Sequence, residues 1–530
     1  MAAPVIVLLN ARAEPDYPDP TKVLGLPLAI LTLARVLLPA GYDVRLVDEN
    51  VTGRPEDRLA AMPRPLMVGI SCLGGGQIPS GLRLARIVRR RWPGVPLVWG
   101  GWSPTMLPHL YEAEPLVDVV VRGRGEAPLL ALAERLAAGR DADGIPGISW
   151  RDANGVMRRN PETGADDAPA AAEPDAPLPY HLVAHWDRYL TAFGTLNYHS
   201  SRGCPHRCTY CGIPTQDRTF QARDNERVVE DLSRTPALGI DTIVFFDDNF
   251  FTSKERVLDL AQRLVESGLG LTWHSNGRLD QVEGLDDSEL ALLRRSGCAS
   301  INIGYETGDQ AVAERVHKDV RCADMVPLAA RLQAAGIGLS INVMVGLPGE
   351  TPERLVASMD TLMEIHAAHQ GVEVAWYMFM PAPGTPAWQE LVADGLLTEP
   401  ATLAEHMRLQ SMYLEHPWYY ERAPRDVLRD DRTELQAIAW CFHQAFAAPP
   451  PKFAPLRPAF HLRRRLCRWR WRTKRFGFPV LWRVHFLGNA LRTRCRWALA
   501  RLSRRRAFSP LRRRLMARAR RTRIPGVRPV

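Results

Sequence analysis

The stretch Ser201-Arg202-Gly203-Cys204-Pro205-His206-Arg207-Cys208-Thr209-Tyr210-Cys211-Gly212 decides how the rest of the chain is read. Gaps of three and two residues let one short loop present the thiolates of Cys204, Cys208 and Cys211 to a single metal centre, and no fourth ligand follows nearby. A structural zinc site is closed by four protein ligands and normally comes from two paired half-sites, so a lone triplet fits it poorly. Soft thiolates suit an iron–sulfur cubane, and three of them leave one iron open to bind a substrate.

The loop sits inside an alternating α/β series running from about Leu196 to Met380. Strands are expected at Asn197 to Ser201, Thr242 to Asp247, Leu271 to Ser275, Ser300 to Glu306, Ser340 to Gly346 and Val372 to Phe379, the first five each followed by a helical pattern. A six-stranded partial barrel is the natural closure, with catalytic groups at the C-terminal ends of the strands. The cysteine loop follows the first strand. The second ends Phe245-Phe246-Asp247-Asp248-Asn249-Phe250, which brings two adjacent carboxylates to the mouth. Alternation along a strand keeps both from pointing the same way, so one of them is a helix cap or structural acceptor.

The first 150 residues form a separate α/β series. Val5 to Asn10, Val44 to Asp48, Leu66 to Cys72, Leu97 to Gly101 and Val117 to Val121 read as strands, with helical patterns at Leu28 to Leu38 and Ser80 to Arg91. That order predicts a parallel sheet covered on both faces, whose ligand lies beyond the carboxyl ends of the strands. Glycines fall at those ends: Gly74, Gly75 and Gly76, then Gly100 and Gly101, then Gly123 and Gly125. Each lets backbone approach a bulky ligand closely. Residues 151–190 are expected to be a linker, on the Ala, Pro and Asp content of Asp152 to Pro179.

The CxxxCxxC spacing resembles the signature of the radical S-adenosylmethionine (SAM) enzymes. Val-Trp-Gly-Gly-Trp-Ser-Pro-Thr and Val-Val-Arg-Gly-Arg-Gly-Glu, set in the strand pattern before it, resemble the cobalamin-binding domain that precedes the barrel in cobalamin-dependent radical SAM enzymes. The resemblance covers roughly residues 1 to 390 and implies a doubly wound, Rossmann-like cobalamin domain over 1–150 and a partial (β/α)6 radical SAM barrel over 191–390. A helical C-terminal region over 391–458 and a basic Arg/Trp-rich tail over 459–530 complete the expected order.

Three cofactors follow from the resemblance. A [4Fe-4S] cluster would be held by Cys204, Cys208 and Cys211. SAM would meet Tyr210, Asp247 or Asp248, Arg278, Glu306 and Asn342. Cobalamin would lie against Ser71, Gly74, Gly100, Gly101, Gly123, Gly125 and Glu126. The family more often has Gly-Glu-Gly-Glu where this chain reads Gly123-Arg124-Gly125-Glu126, which leaves Arg124 without a family role. No His precedes His109, so the loop Ala11 to Val23 offers no imidazole to the lower face of a corrinoid. The implied chemistry is one-electron cleavage of SAM to a 5′-deoxyadenosyl radical that takes hydrogen from an unactivated carbon, with a methyl group then delivered from cobalamin. Such an enzyme needs a small electron donor of flavodoxin or ferredoxin type. Oxidative cyclisation or rearrangement with the same cofactors is the main alternative. A tRNA-modifying methylthiotransferase is less favoured, because that class uses three further N-terminal Cys and only Cys72 is present, and so is a non-catalytic membrane- or RNA-docking module, which would leave the cysteine triplet without purpose.

Charge divides the chain. Residues 461–530 hold 24 Lys or Arg and no Asp or Glu, which leaves 44 basic against 58 acidic residues before them, about −14 against +24. The tail interleaves Arg with Trp, Phe and Leu, a composition suited to an anionic membrane surface. Nucleic-acid binding and a solvated extension are the competing readings, the first disfavoured by the bulky aliphatic content. Trp388, Met412, Tyr413, Trp418, Tyr419 and Tyr420, all but one of them aromatic, could cover the barrel mouth or simply pack. Cys72, Cys298, Cys322 and Cys441 read as buried apolar residues. Val23 to Ala34 spans twelve residues, short of the ~20 that cross a bilayer. With no leader pattern and no disulfide framework, the expectation is a cytoplasmic enzyme, peripheral on the inner membrane face, acting on a small or lipid-like substrate.

Overall fold

Val5–Asn10 (β1) reads VIVLLN, an apolar run with four successive buried residues, and such a run is the mark of a parallel strand covered on both faces. In the computed structural model, which describes residues 3–12, 26–52, 54–74, 77–161, 177–185, 189, 195–216, 218–407, 409, 433–447 and 457–476, β1 is flanked by β2 (Asp43–Asp48) and β3 (Met67–Ser71). β4 (Leu97–Gly100) and β5 (Val119–Val121) extend the sheet in parallel, in the order β2-β1-β3-β4-β5. Helices Leu28–Leu37, Ile78–Arg91 and Glu126–Ala137 carry buried apolar stripes. The strands share one alignment of their carboxyl ends, with Ser71 in register with Gly100.

The sheet continues where a linker was expected. β6 (Ile148–Arg151) and β7 (Met157–Arg159) form an antiparallel hairpin on the β5 edge. Its turn is built by Asp152, whose carboxylate accepts from the N–H groups of Asn154 and Val156, and by Gly155 at φ 78°. Asn154-Gly155 is a hairpin signal that the surrounding Pro- and Asp-rich composition obscured. Buried Arg122 then ties the hairpin down by donating to the Asn160 carbonyl at 2.6 Å.

The second series opens with β8 (Thr195–Tyr198). A two-stranded antiparallel ribbon follows, β9 (Ser201–Arg202) with β10 (Gln221–Ala222), and brackets the cysteine loop. Then come β11 (Thr242–Phe245), β12 (Thr272–Gly277), β13 (Cys298–Glu306), β14 (Gly338–Val345) and β15 (Glu373–Met378), and with β8 they make six parallel strands in chain order. On β14, Leu339, Ile341, Val343 and Val345 are buried while Ser340, Asn342 and Met344 alternate with them on the other face. That second face is polar across three strands: Ser340 donates to Asn302, Asn302 donates to Asn276, and His274 pairs with Ser300.

Helices begin at the C-terminal ends of strands with side-chain caps that fix where the chain turns. Ser253, Asp309, Thr351 and Thr385 each accept from a first-turn N–H, and Asp286 forms a capping box with Glu289. Both series lie in one compact unit, Met1–Gln436. The second unit, Ala437–Val530, contains the π-helical turn His443–Ala447 and the helix Arg457–Thr473. No helix among the described residues is long and apolar enough to cross a membrane.

Trp388 is 1% exposed, and its indole N–H donates to Glu399, so it is a packing residue. Met412, Tyr413, Trp418, Tyr419 and Tyr420 lie outside the described residues, as does the tail beyond 476. Cys72, Cys298, Cys322 and Cys441 are buried free thiols.

Candidate active site

The cysteine loop is anchored from below by Asp247. This carboxylate is 1% exposed and accepts from the Ser200 N–H at 2.7 Å and from the Ser200 and Ser201 hydroxyls, each at 2.6 Å. Arg256 stands 3.9 Å away. Asp247 is therefore the structural acceptor of the adjacent pair, committed to the protein's own donors. Asp248 is exposed and accepts from the N–H of Gly203, the residue that turns the chain into Cys204. The expectation of an ammonium partner passes to Asp248. Further along, the Thr209 N–H donates to Val316 and the Thr209 carbonyl accepts from Ala387, so the loop is stitched to the far side of the barrel.

Cys204 and Cys208 are buried and Cys211 is half-buried. Burial pushes the Cys204 and Cys211 thiols up, Cys211 to about 12, and the neighbouring Cys208 sulfur adds to the rise in both. Among the described residues no three His, Cys, Asp or Glu side chains are placed to hold a single metal ion between them. A cubane takes one thiolate on each of three separate irons and requires no such convergence. Donors approach the sulfurs: Arg278 Nη1 lies 3.5 Å from Cys208 Sγ, and Asn249 Nδ2 lies 4.0 Å from Cys204 Sγ.

Arg278, expected at the SAM carboxylate, has other partners. Its Nε donates to Asp280 at 3.0 Å and its Nη2 to the Lys318 carbonyl, so the guanidinium positions the Cys208 segment. Glu306 closes β13 at φ 68°, a left-handed conformation that costs a non-glycine residue energy and marks constrained sites. Its Oε1 accepts from Lys318 Nζ at 3.3 Å, and Lys318 Nζ also donates to Tyr210 Oη at 3.3 Å. Glu306 and Lys318 are 6% and 5% exposed. Burial pushes the Tyr210 phenol well up, with the Glu306, Cys208 and Cys211 charges acting in the same sense. Glu306 Oε2, Asn249 Oδ1 and Gln281 Oε1 are buried acceptors with no partner among the described residues. Asn342 sits on the polar face of β14, in register with Gly304. Lys318 and Asn249 were not singled out from sequence.

The glycine rim of the first sheet abuts this loop. Gly101 has φ 106°, and a β-carbon there would stand 2.6 Å from the Cys72 carbonyl oxygen, so only glycine turns the chain at the end of β4. Thr105 then bridges two rim segments, donating to the Gly101 carbonyl and accepting from the Gly123 N–H. Trp102 reaches across to Gly212, the residue after Cys211, where a β-carbon would come within 2.8 Å of the indole nitrogen. Ser71, Gly74, Gly100, Gly101, Gly123 and Gly125 thus line one end of the sheet, and all are partly exposed.

Glu126, expected at the cobalamin, pairs with Arg202 of β9 at 2.9 Å. Arg124 joins the same junction: its Nη1 and the Arg202 guanidinium both donate to Gln221 Oε1, at 3.3 Å and 2.9 Å. The departure from Gly-Glu-Gly-Glu is accounted for, because Arg124 and Glu126 knit the glycine rim to the ribbon that brackets the cysteines. Gly75 and Gly76 lie outside the described residues.

Behind the rim, Cys72, Tyr111, Ser103 and His406 form a buried chain of contacts of 3.4, 2.8 and 3.3 Å. His406 is fully buried, and burial lowers its pKa to about 4, helped by His109. The unfolded chain therefore binds the extra proton first as pH falls from 6.5, and stability present at neutral pH is lost toward pH 4. Between pH 7.5 and pH 5 this residue alone removes about 2 kcal/mol. The thermal midpoint of His406→Gln should fall less over that interval than that of the unaltered protein; equal falls would show that His406 is not the titrating group.

Residues 21–133 match the B12 binding domain family, and residues 198–362 match the Radical SAM superfamily. The chain is 27% identical to an uncharacterized methyltransferase, PH0819, of Pyrococcus horikoshii over 70% of this chain and 80% of that protein. It is 24% identical to an anaerobic magnesium-protoporphyrin IX monomethyl ester cyclase of Rubrivivax gelatinosus, over 69% of this chain and 66% of the cyclase. Its fold resembles that of the radical SAM methyltransferase TsrM from Kitasatospora setae, solved with tryptophan and a SAM analogue, at a TM-score of 0.64 and 20% identity over 77% of this chain and 83% of that one. With a glycine-rimmed parallel sheet in the first matched stretch and a three-cysteine barrel mouth in the second, this chain belongs to the B12-binding radical SAM enzymes.

Proposed function

We propose that the protein is a cobalamin-dependent radical SAM methyltransferase that places a methyl group on an unactivated carbon of a small or lipid-like substrate. The observation that carries the reading is the contact of Trp102 with Gly212, which joins the glycine rim to the residue beside Cys211 within one compact unit. A methyl carrier and a radical source must address the same carbon, and adjacent sites supply that orientation.

The residues present suit the three groups. Three buried or half-buried thiols form a soft donor set for a [4Fe-4S] cluster. Asp248, Asn342, Tyr210 and the unpartnered oxygen of Glu306 are polar groups that would hold SAM at the barrel mouth. The strand ends at Ser71, Gly74, Gly100, Gly101, Gly123 and Gly125 form a backbone rim that a corrinoid would cover. When bound, these groups supply one-electron cleavage of SAM and a transferable methyl. The chain's own part is to fix the loop through Asp247, set Glu306 through Lys318, and exclude water around both. An electron donor of flavodoxin or ferredoxin type supplies the reducing equivalent. The basic tail places the enzyme at an anionic membrane surface, on the cytoplasmic side.

Oxidative cyclisation is the second reading, favoured by the similarity to the Rubrivivax cyclase. Anaerobic reconstitution with iron, sulfide and cobalamin, followed by isotope-labelled SAM and a reductant, separates the two. Methyl transfer requires retained corrinoid, 5′-deoxyadenosine, and label in the product of a substrate screen. Deoxyadenosine with unlabelled product would favour cyclisation, and a protein that retains cluster but no corrinoid would sink both.

A further inference from the structure

We propose that the helix Arg457–Thr473 is a docking face for a bilayer surface bearing anionic lipid, inserted through Leu462, Leu466 and Trp469. The proposal deepens the membrane part of the reading above and rests on it. The helix has two apolar faces. Phe460, Cys467 and Trp471 are 4%, 0% and 5% exposed, and the Trp471 ring packs against Phe442 with centroids 4.9 Å apart. Arg464 and Arg468 fasten that side by donating to the Ala445 carbonyl. The second face is turned to solvent: Leu462 is 70% exposed, Leu466 38% and Trp469 50%.

One exposed leucine needs no explanation. Three large apolar side chains at i, i+4 and i+7 make a continuous stripe, where a helix packed on one side normally shows polar residues. Arg465 and Arg472 are exposed alongside the stripe. Leucine and tryptophan flanked by guanidinium groups match the boundary between acyl chains and phosphate headgroups, with Trp favouring the interface itself. At seventeen residues the helix is about 25 Å long, and it carries too many charges to span a bilayer, so it lies in the surface plane.

Charge selects the occupant. Residues 461–530 contain 24 basic and no acidic side chains, so neither the remainder of the tail nor a second copy of it offers carboxylates to the flanking arginines. Nucleic acid would satisfy the arginines but leaves Leu462 and Leu466 unmatched, because bases stack on aromatic faces. An anionic bilayer satisfies both groups.

The test is flotation of the full-length protein with phosphatidylcholine vesicles and with vesicles containing one-third phosphatidylglycerol, at low and high salt. The unaltered protein should float with the anionic vesicles and release progressively with salt. Leu462→Asp/Leu466→Asp/Trp469→Asp should weaken that binding at least about tenfold, since each substitution exchanges an inserted apolar group for an anion. The far-UV spectrum should not change, since all three positions are exposed. Arg504→Glu/Arg505→Glu/Arg506→Glu serves as the second variant. If it loses binding while the stripe variant keeps it, the tail meets membranes but this face does not, and the proposal is overturned with the membrane reading intact. If the unaltered protein floats with neither vesicle, or binds a single-stranded RNA probe and not vesicles, both fall. Vesicle binding is read without catalysis, so failure of the methyltransferase reading leaves the result untouched.

Discussion

Cys208→Ala, after anaerobic reconstitution, is expected to lose the iron–sulfur absorbance and to release no detectable 5′-deoxyadenosine from SAM. Two soft donors would remain in the loop, and a cubane needs a thiolate on three of its irons before the fourth can serve as an open site. Cys208 is also the sulfur that Arg278 approaches at 3.5 Å, so its removal takes away an acceptor from a buried guanidinium held otherwise by Asp280 and the Lys318 carbonyl. The effect is specific to the triplet. Cys298→Ala truncates an equally buried thiol on β13, and should keep both cluster and nucleoside with a stability loss of about 1 kcal/mol from the lost packing. If Cys208→Ala keeps its iron and its nucleoside, the assignment of the loop as the metal site fails whatever the substrate.

The two α/β series were legible because parallel strands announce themselves. β1 is an uninterrupted apolar run, and β14 alternates Leu, Ile, Val, Val with Ser, Asn, Met. The cysteine loop was legible because thiol spacing within one loop is a local property of the chain. What escaped was set by contacts distant in sequence. Lys318 lies in a tight turn with His317 and Asp319 both at φ 52°, and nothing in the residue types around it tells that its ammonium folds back 108 residues to Tyr210. Glu126 is expected at the cobalamin from the family resemblance alone, which says nothing of its ion-pair partner, Arg202, 76 residues away. Asp247 and Asp248 could not be told apart until Ser200 and Ser201 were seen converging on the first of them. The β6–β7 hairpin is a different case: its Asn154-Gly155 turn was in plain view, and average composition outweighed it.

Lys318 and Glu306 allow the site to be tested apart from the cluster. Lys318→Met is expected to cost about 3–5 kcal/mol, because it strips the cation from a carboxylate that is 6% exposed and already has one oxygen without a partner among the described residues. Glu306→Gln leaves the mirror problem, an ammonium 5% exposed that has lost the Glu306 charge and keeps only neutral acceptors, the amide oxygen at position 306 and the Tyr210 hydroxyl. The double variant Glu306→Gln/Lys318→Met removes both charges and should recover most of the stability lost by either single change, since replacing a whole buried pair is far less damaging than breaking it. Function should not recover with it. If the unpartnered oxygen of Glu306 is reserved for SAM, the double variant will fold and hold its cluster, yet bind SAM at least about tenfold more weakly, the scale of one lost charge-assisted hydrogen bond. Calorimetric titration of the reconstituted protein with SAM reads this directly, and thermal midpoints of the three variants read the coupling. Unchanged SAM affinity in the stable double variant would make Glu306 and Lys318 a structural ion pair that braces Tyr210, and would move the search for the SAM contacts to Asp248 and Asn342.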